Sequence, residues 1–364
     1  MEVIGIAGAG ISGLTAAIHL AKNGFPVRVY EKGEDVASRF RSEFQGLENW
    51  SRDEDVLAFL ERIGIAPRFY HKPFNEVDAV NDLGRKCTIR SLSRPGLYIV
   101  KRGRESDSLD QYLKSRALEL GVEIEFGQPT MSQDIRIIAR GPQAARSVAY
   151  GMEAEVDHPD RIAVLLDDRI APKAYAYLII VDGKMTLASA LMEEFHRAKE
   201  CFASTVKRTQ AMYGVSPRNA HPVAGYMDFA LRNSYMDGGR MLVGESAGLQ
   251  DFFLGFGMRY AIVSGYLAAE SIVQGLDYDQ LIKGEMEKQL KSSLVNRYIF
   301  EKLGNRGYRR LIRAWERSDD VVLLMRRWYG WRLYKGLLFP LAGRWLRRKR
   351  RVGWQRQRER VTAA

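Results

Sequence analysis

The sequence predicts an α/β fold, in which a Rossmann-like dinucleotide-binding domain carries an inserted strand-rich domain and a C-terminal helical region. Three observations predict it. A glycine-rich turn at residues 8–13 stands between an apolar run and a helical segment. Residues 145–235 are dense in strand patterns, and residues 241–257 then return to a short apolar strand followed by glycines. A chain of 364 residues is long enough for one or two domains.

The N-terminal strand–turn–helix unit is the most specific element. Residues 3–7 form one short apolar strand, and residues 14–21 form a helix rich in small residues. Between them, Gly8 permits the tight turn, Gly10 lets the backbone approach a pyrophosphate, and Gly13 lets helix and strand pack closely. The separations are those of a dinucleotide-binding βαβ unit.

The flanks of this turn predict what it binds. The helix begins near Ile11 and Ser12, where unpaired backbone N–H groups and the positive helix dipole suit a phosphate. Residues 27–30 form the next strand, and Glu31 at its carboxyl end can accept a hydrogen bond from a ribose 2′-hydroxyl. Because an acid here favours an unphosphorylated ribose, the pattern indicates FAD or NAD in preference to NADP.

Further candidate contacts to the dinucleotide follow the strands of the first 144 residues. Arg39 and Arg41, just beyond the second strand, either run along a pyrophosphate or are solvated at the surface. Residues 135–139 form another strand, which delivers Gly141 at its end. The remaining candidate cofactor contacts of this region are Lys32, Phe40, Arg102 and Arg104.

The block at residues 145–235 has strand character. Its clearest strands are residues 162–166, 175–181 and 185–188. The dipeptide Asp182-Gly183 between the last two predicts a tight hairpin turn. We interpret the block as a mostly antiparallel layer that covers the cofactor.

After this block the chain returns to the first domain. Residues 241–243 form a short buried strand, and residues 258–274 form a helix dense in Ala and Gly. The glycines between them let backbone N–H groups approach a flat ligand. The helix N-terminus can stabilise negative charge on that ligand, such as a reduced flavin carries. The candidate cofactor contacts here are Gly244, Glu245, Gly248, Gly255, Gly257 and Met258.

These segments divide the chain into a nucleotide-binding domain in three pieces, a strand-rich domain in two pieces and a helical region. The pieces of the first are residues 1–70, 101–144 and 236–275, those of the second are residues 71–100 and 145–235, and the helical region is residues 276–364. An apolar stripe on a long helix at residues 277–303 is interpreted as core. Its members are Leu281, Met286, Leu290, Leu294, Ile299 and Leu303.

The basic charge is concentrated in the C-terminal tail. The net charge is +12, and the residues from Arg326 onward hold thirteen Lys and Arg against one acidic residue. Four of the six tryptophans lie among these cations: Trp328, Trp331, Trp345 and Trp354. Interleaved Trp, Arg and Leu are typical of an interfacial anchor, so we expect peripheral membrane contact through residues 326–360. A solvated basic helix or a nucleic-acid-binding tail has a similar composition, although no nucleic acid partner is expected.

Other features of the sequence limit the possible compartment and chemistry of the protein. No run approaches eighteen consecutive uncharged apolar residues, and the chain opens on its first strand, so neither a spanning helix nor a signal peptide is expected. Cys87 and Cys201 lie far apart without CxxC spacing, which supports neither a disulfide scaffold nor a metal site. We therefore expect a cytoplasmic, peripherally membrane-associated protein.

Residues 1–275 resemble the FAD-dependent geranylgeranyl reductase family, within the p-hydroxybenzoate hydroxylase-like flavoprotein group. The resemblance rests on residues 8–13 with Glu31, on residues 244–258 and on residues 172–180, which stand where the family has PxxYxWxFP. It implies FAD as cofactor and a reductase that saturates double bonds of an isoprenoid chain by flavin hydride transfer. It also implies that the candidate catalytic residues, Tyr175 and Tyr177, face the cavity for a lipid chain.

The sequence departs from the family pattern and leaves other functions open. Glu245 stands where the family has Asp, and Tyr177 where it has Trp. An FAD-dependent monooxygenase or halogenase acting on an apolar substrate shares the fold and both FAD motifs, and a non-enzymatic flavin-binding scaffold is a third possibility. Because the sequence has a single GxGxxG motif, the electron donor is either transiently docked NAD(P)H or another carrier such as ferredoxin.

Overall fold

The computed structural model describes residues 2–128, 135–318 and 320–361, with residues 350–361 as backbone only. The strands are β1 Ile4–Ala7, β2 Val27–Tyr30, β3 Ser42–Glu48, β4 His71–Phe74, β5 Glu76–Asn81, β6 Lys86–Arg90, β7 Leu97–Gly103, β8 Glu123–Glu125, β9 Ile135–Ile138, β10 Ser147–Glu155, β11 Arg161–Leu166, β12 Ala176–Val181, β13 Lys184–Leu191, β14 Arg218–Met227, β15 Met236–Asp237 and β16 Arg240–Leu242. The α-helices are α1 Ile11–Lys22, α2 Val56–Arg62, α3 Leu109–Glu119, α4 Ala198–Tyr213, α5 Met258–Gln274, α6 Tyr278–Ile282, α7 Lys288–Trp315, α8 Val321–Tyr329 and α9 Leu333–Val361.

The nucleotide-binding domain is built on a six-stranded sheet in the order β15-β16-β9-β1-β2-β8. All of its neighbouring strands pair in parallel except β15, which lies antiparallel to β16 at the edge. Strand β1 is central and fully buried, as its uninterrupted apolar sequence predicted. Since parallel strands share their direction, the carboxyl ends of β1, β9 and β16 meet at one edge of the sheet.

Helices α1 and α5 cross closely behind this edge. A Cβ on Gly265 of α5 would come within 2.2 Å of the backbone oxygen of Ser12 in α1. The small residues that the sequence places on both helices are therefore needed for this crossing. The crossing places the N-terminus of α1 against the middle of α5.

The strand-rich domain is a seven-stranded sheet in the order β14-β10-β13-β12-β11-β5-β6. It is mostly antiparallel, with β5 and β11 as the parallel pair. The predicted hairpin turn joins β12 to β13, where Asp182 and Gly183 have φ of 50° and 74°. These left-handed values are those of a two-residue turn that follows the strand twist. Helix α4 packs on one face of this sheet, where Ser189 Oγ lies 2.8 Å from Thr205 Oγ1.

Residues 71–100, predicted as one piece of the strand-rich domain, divide between two sheets. Strands β5 and β6 join the seven-stranded sheet, whereas β4 and β7 pair with β3 in a separate three-stranded sheet. Strand β7 also continues to Gly103 and pairs along its whole length with β3. This continuation places Arg102 on a strand of the three-stranded sheet.

The C-terminal helices extend further than the sequence pattern indicated. Helix α7 runs on to Trp315, with a break at Gly304, where φ is 55° and ψ is −172°. Of the predicted core stripe, Met286, Leu290 and Leu294 are buried, but Leu303 is 36% exposed, so its assignment to the core was wrong. No helix of the described residues combines the length and apolar character needed to cross a bilayer.

Candidate active site

In the glycine turn after β1, the fold requires glycine at Gly8 and Gly13, whereas Gly10 leaves space for a ligand. Gly8 has φ of +111°, and a Cβ there would lie 2.3 Å from the carbonyl oxygen of Ala139. A Cβ on Gly13 would lie 2.0 Å from the carbonyl oxygen of Gly8. Around Gly10, by contrast, no described atom outside its chain neighbours lies within 4 Å of an added Cβ. The surface above Gly10 is therefore open to a bound group.

Helix α1 directs its N-terminus at this open surface. Gly10 is the N-cap residue, and within the described structure no side chain caps the helix and no acid lies in its first turn. The first-turn N–H groups, including those of Ile11 and Ser12, are thus left without an intrahelical partner, as at any helix start. Together with the helix dipole, they form a favourable site for a phosphate.

Glu31 lies at the carboxyl end of β2, beside the same turn. Its Oε2 accepts a hydrogen bond from the backbone N–H of Ala9 at 2.9 Å, and its Oε1 accepts one from Gly33 at 2.8 Å. Each carboxylate oxygen has a further lone pair that could accept a hydrogen bond from a ribose hydroxyl. The neighbouring Lys32 is exposed.

Arg102 is held by partners that sequence analysis did not single out. Its Nε and Nη2 donate to Asp110 Oδ2 and Oδ1 at 2.8 and 2.9 Å, and its Nη1 donates to Gln45 Oε1 at 3.1 Å. The pair with Asp110 is buried. Asp110 lies in the first turn of α3, two residues after the N-cap Ser108.

Two guanidinium groups lie on the ring of Phe40. The Cζ atoms of Arg39 and Arg102 are 4.5 and 4.8 Å from the ring centroid, within the range of a cation–π contact. Arg39 and Arg104 are exposed, whereas Arg102 is buried. The structure therefore brings Arg39, Phe40 and Arg102 together, and it leaves Arg104 at the surface.

The loop after β16 reaches the same edge of the sheet. Gly244 has φ of +55°, and a Cβ there would lie 2.7 Å from Ser12 Oγ. Ser246 Oγ donates to the carbonyl oxygen of Gly141 at 3.3 Å, which joins this loop to the end of β9. Gly141 itself has φ of +78° and, like Gly10, no described atom within 4 Å of an added Cβ. Gly248, with φ of +72°, approaches Ala230 instead.

Glu245 carries a perturbed carboxyl group within this loop. Burial raises the pKa of Glu245 to about 7, a shift that the hydrogen bond from the Asp228 amide and attraction to Arg39 and Arg102 partly oppose. Its Oε1 accepts the hydrogen bond from the Asp228 N–H at 3.0 Å. Gly244 approaches Ser12 of the glycine turn, and Glu245 lies within electrostatic range of Arg39 and Arg102, so these three parts of the chain lie around one site.

Residues 251–257 form the loop that precedes α5, and we call it the ring loop. Asp251 stabilises it from within, because its carboxylate accepts hydrogen bonds from the N–H groups of Phe253 and Leu254 at 3.1 and 2.7 Å. Tyr329 of α8 donates to the same carboxylate at 2.6 Å. Burial raises the pKa of Asp251 to about 6, while these hydrogen bonds act in the opposite direction. Asp251 was not a predicted site residue.

The ring loop leads into helix α5 and packs against strand β3. Gly255 has φ of +80°, and Gly257 is the N-cap of α5 without a side-chain cap in the described structure, followed by buried Met258. The ring of Phe256 packs edge-on against Trp50 at 4.9 Å. Its Cε1 lies 2.8 Å from the place of a Cβ on Gly46, so any side chain there would displace the Phe256 ring.

The seven-stranded sheet turns a mainly apolar face toward the ring loop. In the sheet register, Tyr177 lies opposite both Val164 and Ala188, and Ala188 also lies opposite Gly151. Directly opposite residues share a face, so these four form one row across the sheet. Tyr177, Val164 and Phe256 all pack on the same hydrophobic cluster.

The two tyrosines predicted as catalytic occupy different surroundings. The Tyr175 hydroxyl donates to the carbonyl oxygen of Leu254 in the ring loop. The ring centroids of Tyr175 and Tyr177 are 6.2 Å apart. Burial raises the pKa of Tyr177, with the carboxylates of Glu43 and Glu153 adding to the effect, so its hydroxyl is protonated at neutral pH.

Comparisons with known proteins agree with this architecture. Residues 6–80 match the family described as NAD(P)-binding Rossmann-like domain. No curated protein matches the chain. In fold, the chain is similar to a geranylgeranyl bacteriochlorophyll reductase-like protein from Thermoplasma acidophilum, with a TM-score of 0.70 and 18% identity over 89% of this chain and 96% of that one.

Two further proteins of similar fold have names that describe other reactions. One is a flavin-dependent brominase, with a TM-score of 0.61 and 16% identity over 95% of this chain and 99% of that one. The other is p-nitrophenol 4-monooxygenase from Pseudomonas putida, with a TM-score of 0.59 and 12% identity over 92% of this chain and 100% of that one. The predicted α/β fold is confirmed, and the chain shares it with proteins that include a flavin-dependent enzyme.

Proposed function

We propose that this protein is an FAD-dependent oxidoreductase that saturates carbon–carbon double bonds of an isoprenoid chain. The observation that carries the substrate class is the apolar row Val164, Tyr177, Ala188 and Gly151, which faces the ring loop. Beside the Tyr177 ring, the other members of the row are small or aliphatic, which suits a hydrocarbon chain. The likeness to the reductase-like protein of Thermoplasma acidophilum supports the same reaction.

The residues present fit FAD. Open space above Gly10 and Gly141 lies at the carboxyl edge of the parallel sheet, where dinucleotides bind in such folds. The uncapped N-termini of α1 and α5 both supply N–H groups. The residues that would hold the cofactor are Gly10, Ile11, Ser12, Glu31, Lys32, Arg39, Phe40, Arg102, Gly141, Gly244, Glu245, Gly255, Gly257 and Met258. Gly8 and Gly13 would shape the turn, whereas the predicted contacts Arg104 and Gly248 lie at the surface and against Ala230, respectively. When bound, FAD supplies hydride transfer from its reduced ring.

The protein residues then bind and align the substrate and exclude water from it. An isolated alkene is a poor hydride acceptor, so close alignment and exclusion of water must contribute much of the rate. Tyr177 and the row beside it would hold the chain against the ring loop. Tyr175 acts differently, because its hydroxyl already holds the Leu254 carbonyl and thereby fixes the ring loop.

The partners follow from the same proposal. The electron donor is NAD(P)H or a protein carrier such as ferredoxin, and the substrate is a prenyl lipid or another apolar small molecule. The enzyme would work in the cytoplasm at a membrane surface, in contact through residues 326–360, with no nucleic acid partner.

A monooxygenase or halogenase is the second candidate function. The likeness to a brominase and to a p-nitrophenol monooxygenase, each over more than nine-tenths of this chain, favours it. These reactions need O₂ in addition to a reduced flavin, whereas saturation of an alkene does not. Anaerobic conditions therefore separate the two functions.

The first experiment is anaerobic single turnover. The flavin of the purified protein is reduced with dithionite, geranylgeranylated lipids are added, and flavin absorbance is followed together with the lipid mass. We expect flavin reoxidation with a gain of two mass units per double bond. A flavin that stays reduced until air is admitted, followed by an oxygenated product, would establish the monooxygenase instead. Absence of any turnover would favour a flavin-binding scaffold.

A matched pair of variants tests the assigned sheet face. Tyr177→Ala should lower kcat/KM for the lipid by roughly tenfold or more, because it removes alignment in the substrate cavity. Tyr150→Ala is the control, since Tyr150 lies on the opposite face of the same sheet, against Phe202 at 5.6 Å. Equal losses in both variants would contradict the assignment.

A further inference from the structure

One face of helix α9 packs against the rest of the protein. Lys335, Ala342 and Leu346 are buried at helical spacing. The Lys335 ammonium donates to Ser292 Oγ at 2.5 Å and to the carbonyl oxygen of Trp328. Lys349 continues this face and contacts Glu301 Oε2 at 2.6 Å. These contacts fix which side of the helix points outward.

The outward side of the helix is apolar along its first three turns. Leu333 and Leu337 are 93% and 80% exposed, and Tyr334 and Leu341 are exposed as well. Positions 333, 337 and 341 follow one another at i, i+4 and i+8, so they form a single stripe. We call these four residues the α9 stripe. Isolated exposed leucines are ordinary, but a continuous stripe of them on one helix indicates a partner.

Basic residues that have no acidic partner among the described residues lie around the α9 stripe. No acidic residue occurs between Val321 and Lys349. The exposed arginines of this stretch are Arg327, Arg332, Arg344, Arg347 and Arg348. Other cations of the tail have partners within the protein, since Arg326 pairs with Asp53 at 2.8 Å and the buried Lys335 donates to Ser292 Oγ. The structure thus distinguishes cations that hold the tail from those that face outward.

The tryptophans of the tail do not behave as the sequence indicated. Trp328 packs inward, with its ring centroid 5.7 Å from Phe253 and 5.8 Å from Trp315. Trp345 is half-buried against Tyr298. Trp331 is exposed, and the side chain of Trp354 lies outside the described residues. The apolar contribution to the outer surface therefore comes mainly from leucines.

We propose that the α9 stripe inserts into the interface of an anionic lipid bilayer, with Arg332, Arg344, Arg347 and Arg348 on the lipid phosphates. An apolar stripe flanked by arginines is the pattern of an interfacial helix, in which the aliphatic side chains enter the acyl boundary and the cations stay at headgroup level. The inference deepens the membrane contact of the proposed function by naming the face that makes it.

Charge argues against the other occupants of this surface. A second copy of the chain would bring two sets of unpaired arginines together, which is unfavourable. A nucleic acid would bind the cations, but it would leave two almost fully exposed leucines against its phosphates. An anionic bilayer satisfies both the apolar and the basic residues.

Vesicle sedimentation of the flavin-containing protein tests the proposal without any substrate. The vesicles are phosphatidylcholine alone or phosphatidylcholine with one-third phosphatidylglycerol. The test variant is Leu333→Asn with Leu337→Asn. The control is Leu83→Asn with Leu92→Asn, because these leucines are 70% and 72% exposed elsewhere on the surface. Sedimentation velocity of each protein without vesicles reports its oligomeric state.

We expect binding to the anionic vesicles that weakens with salt, and a partition coefficient roughly tenfold or more lower for the test variant than for the control. Equal binding of the two variants, or no binding by the parent protein, would overturn the proposal. A dimer that only the test variant loses would assign the stripe to a second copy. Since the assay involves no turnover, vesicle binding with a failed lipid-reduction assay would overturn the substrate class alone.

Discussion

At the scale of single residues, the three glycines of the turn after β1 differ in the space around them. Gly8 and Gly13 have no room for a side chain, while Gly10 faces open space. The same GxGxxG pattern therefore contains two positions that the fold requires and one that a ligand would require. Substitutions at these positions should separate folding from binding.

Alanine substitutions at Gly10 and Gly13 should have opposite consequences. Gly10→Ala places its methyl group in open space at a φ of −82°, so we expect an unfolding free energy within about 1 kcal/mol of the parent and flavin affinity at least roughly tenfold lower. Gly13→Ala meets the Gly8 oxygen and should destabilise the protein by about 2 kcal/mol or more. Thermal unfolding and flavin titration measure both. Full flavin affinity in Gly10→Ala would show that no cofactor lies over this turn.

Glu245 should give the stability of the cofactor-free protein a characteristic pH dependence. Because the folded-state pKa is about 7, above the ordinary value of 4.5, the folded state binds this proton more tightly than the unfolded state. Its stabilising contribution is complete below pH 4.5 and is lost as the pH rises through 7. Between pH 4.5 and 8, the unfolding free energy of the parent should fall by roughly 1–3 kcal/mol more than that of Glu245→Gln. Urea unfolding at the two pH values measures this difference. An unchanged pH profile would contradict this origin of the loss.

At the scale of elements, the C-terminal helices are attached by buried polar contacts as well as by apolar packing. Asn296 and Lys335 both donate to the carbonyl oxygen of Trp328, where α8 ends. Ser292 on α7 accepts from the same lysine. These contacts orient α9, and through it the α9 stripe, on the rest of the molecule.

The buried lysine predicts a rise in stability at alkaline pH. Burial lowers the pKa of Lys335 to about 8, below its ordinary 10.5, so the folded state loses this proton first. Between pH 8 and 10.5 the unfolded state binds more protons, and the unfolding free energy should therefore rise with pH. Lys335→Met should abolish this rise in chemical unfolding experiments. Lys349→Met leaves Lys335 in place and should retain the rise, and its loss there would contradict the assignment.

At the scale of the whole molecule, the ring loop is the meeting point of three parts of the chain. Tyr175 from the strand-rich domain donates to the Leu254 carbonyl, and Tyr329 from the C-terminal helices donates to Asp251 at 2.6 Å. Arg297 of α7 donates to the Phe253 carbonyl at 3.3 Å. The loop proposed to lie beside the flavin ring is thus held by both neighbouring parts of the chain.

Removal of the Tyr329 hydroxyl should therefore affect the cofactor at a distance. Tyr329→Phe leaves a buried carboxylate oxygen without one donor, and we expect a loss of about 1–3 kcal/mol in unfolding free energy with weaker flavin binding. Tyr308→Phe is the control, because the Tyr308 hydroxyl donates to Asp168 at 3.2 Å, away from the ring loop. Flavin dissociation constants for both variants decide the matter. Equal flavin affinity in the two variants would show that Tyr329 only stabilises the fold.

The sequence by itself determined the local elements of this protein. The strand, glycine turn and helix of residues 4–22, the hairpin at Asp182-Gly183 and helix α5 all follow from patterns within a few residues, because backbone sterics and side-chain periodicity act locally. The grouping of Gly8, Glu31 and Gly244 at one sheet edge also followed, since parallel strands carry their successors to the same side.

Only the tertiary structure decided which distant groups meet. Asp251 and Tyr329 are 78 residues apart in sequence, and nothing local to either residue indicates the other. The same holds for Arg102 with Gln45 and for the packing of Trp328 against Phe253. Composition showed a basic, aromatic tail, but the burial of Lys335 determined that leucines form its outer surface. Such choices depend on how whole elements pack, which the free energy of the complete chain sets.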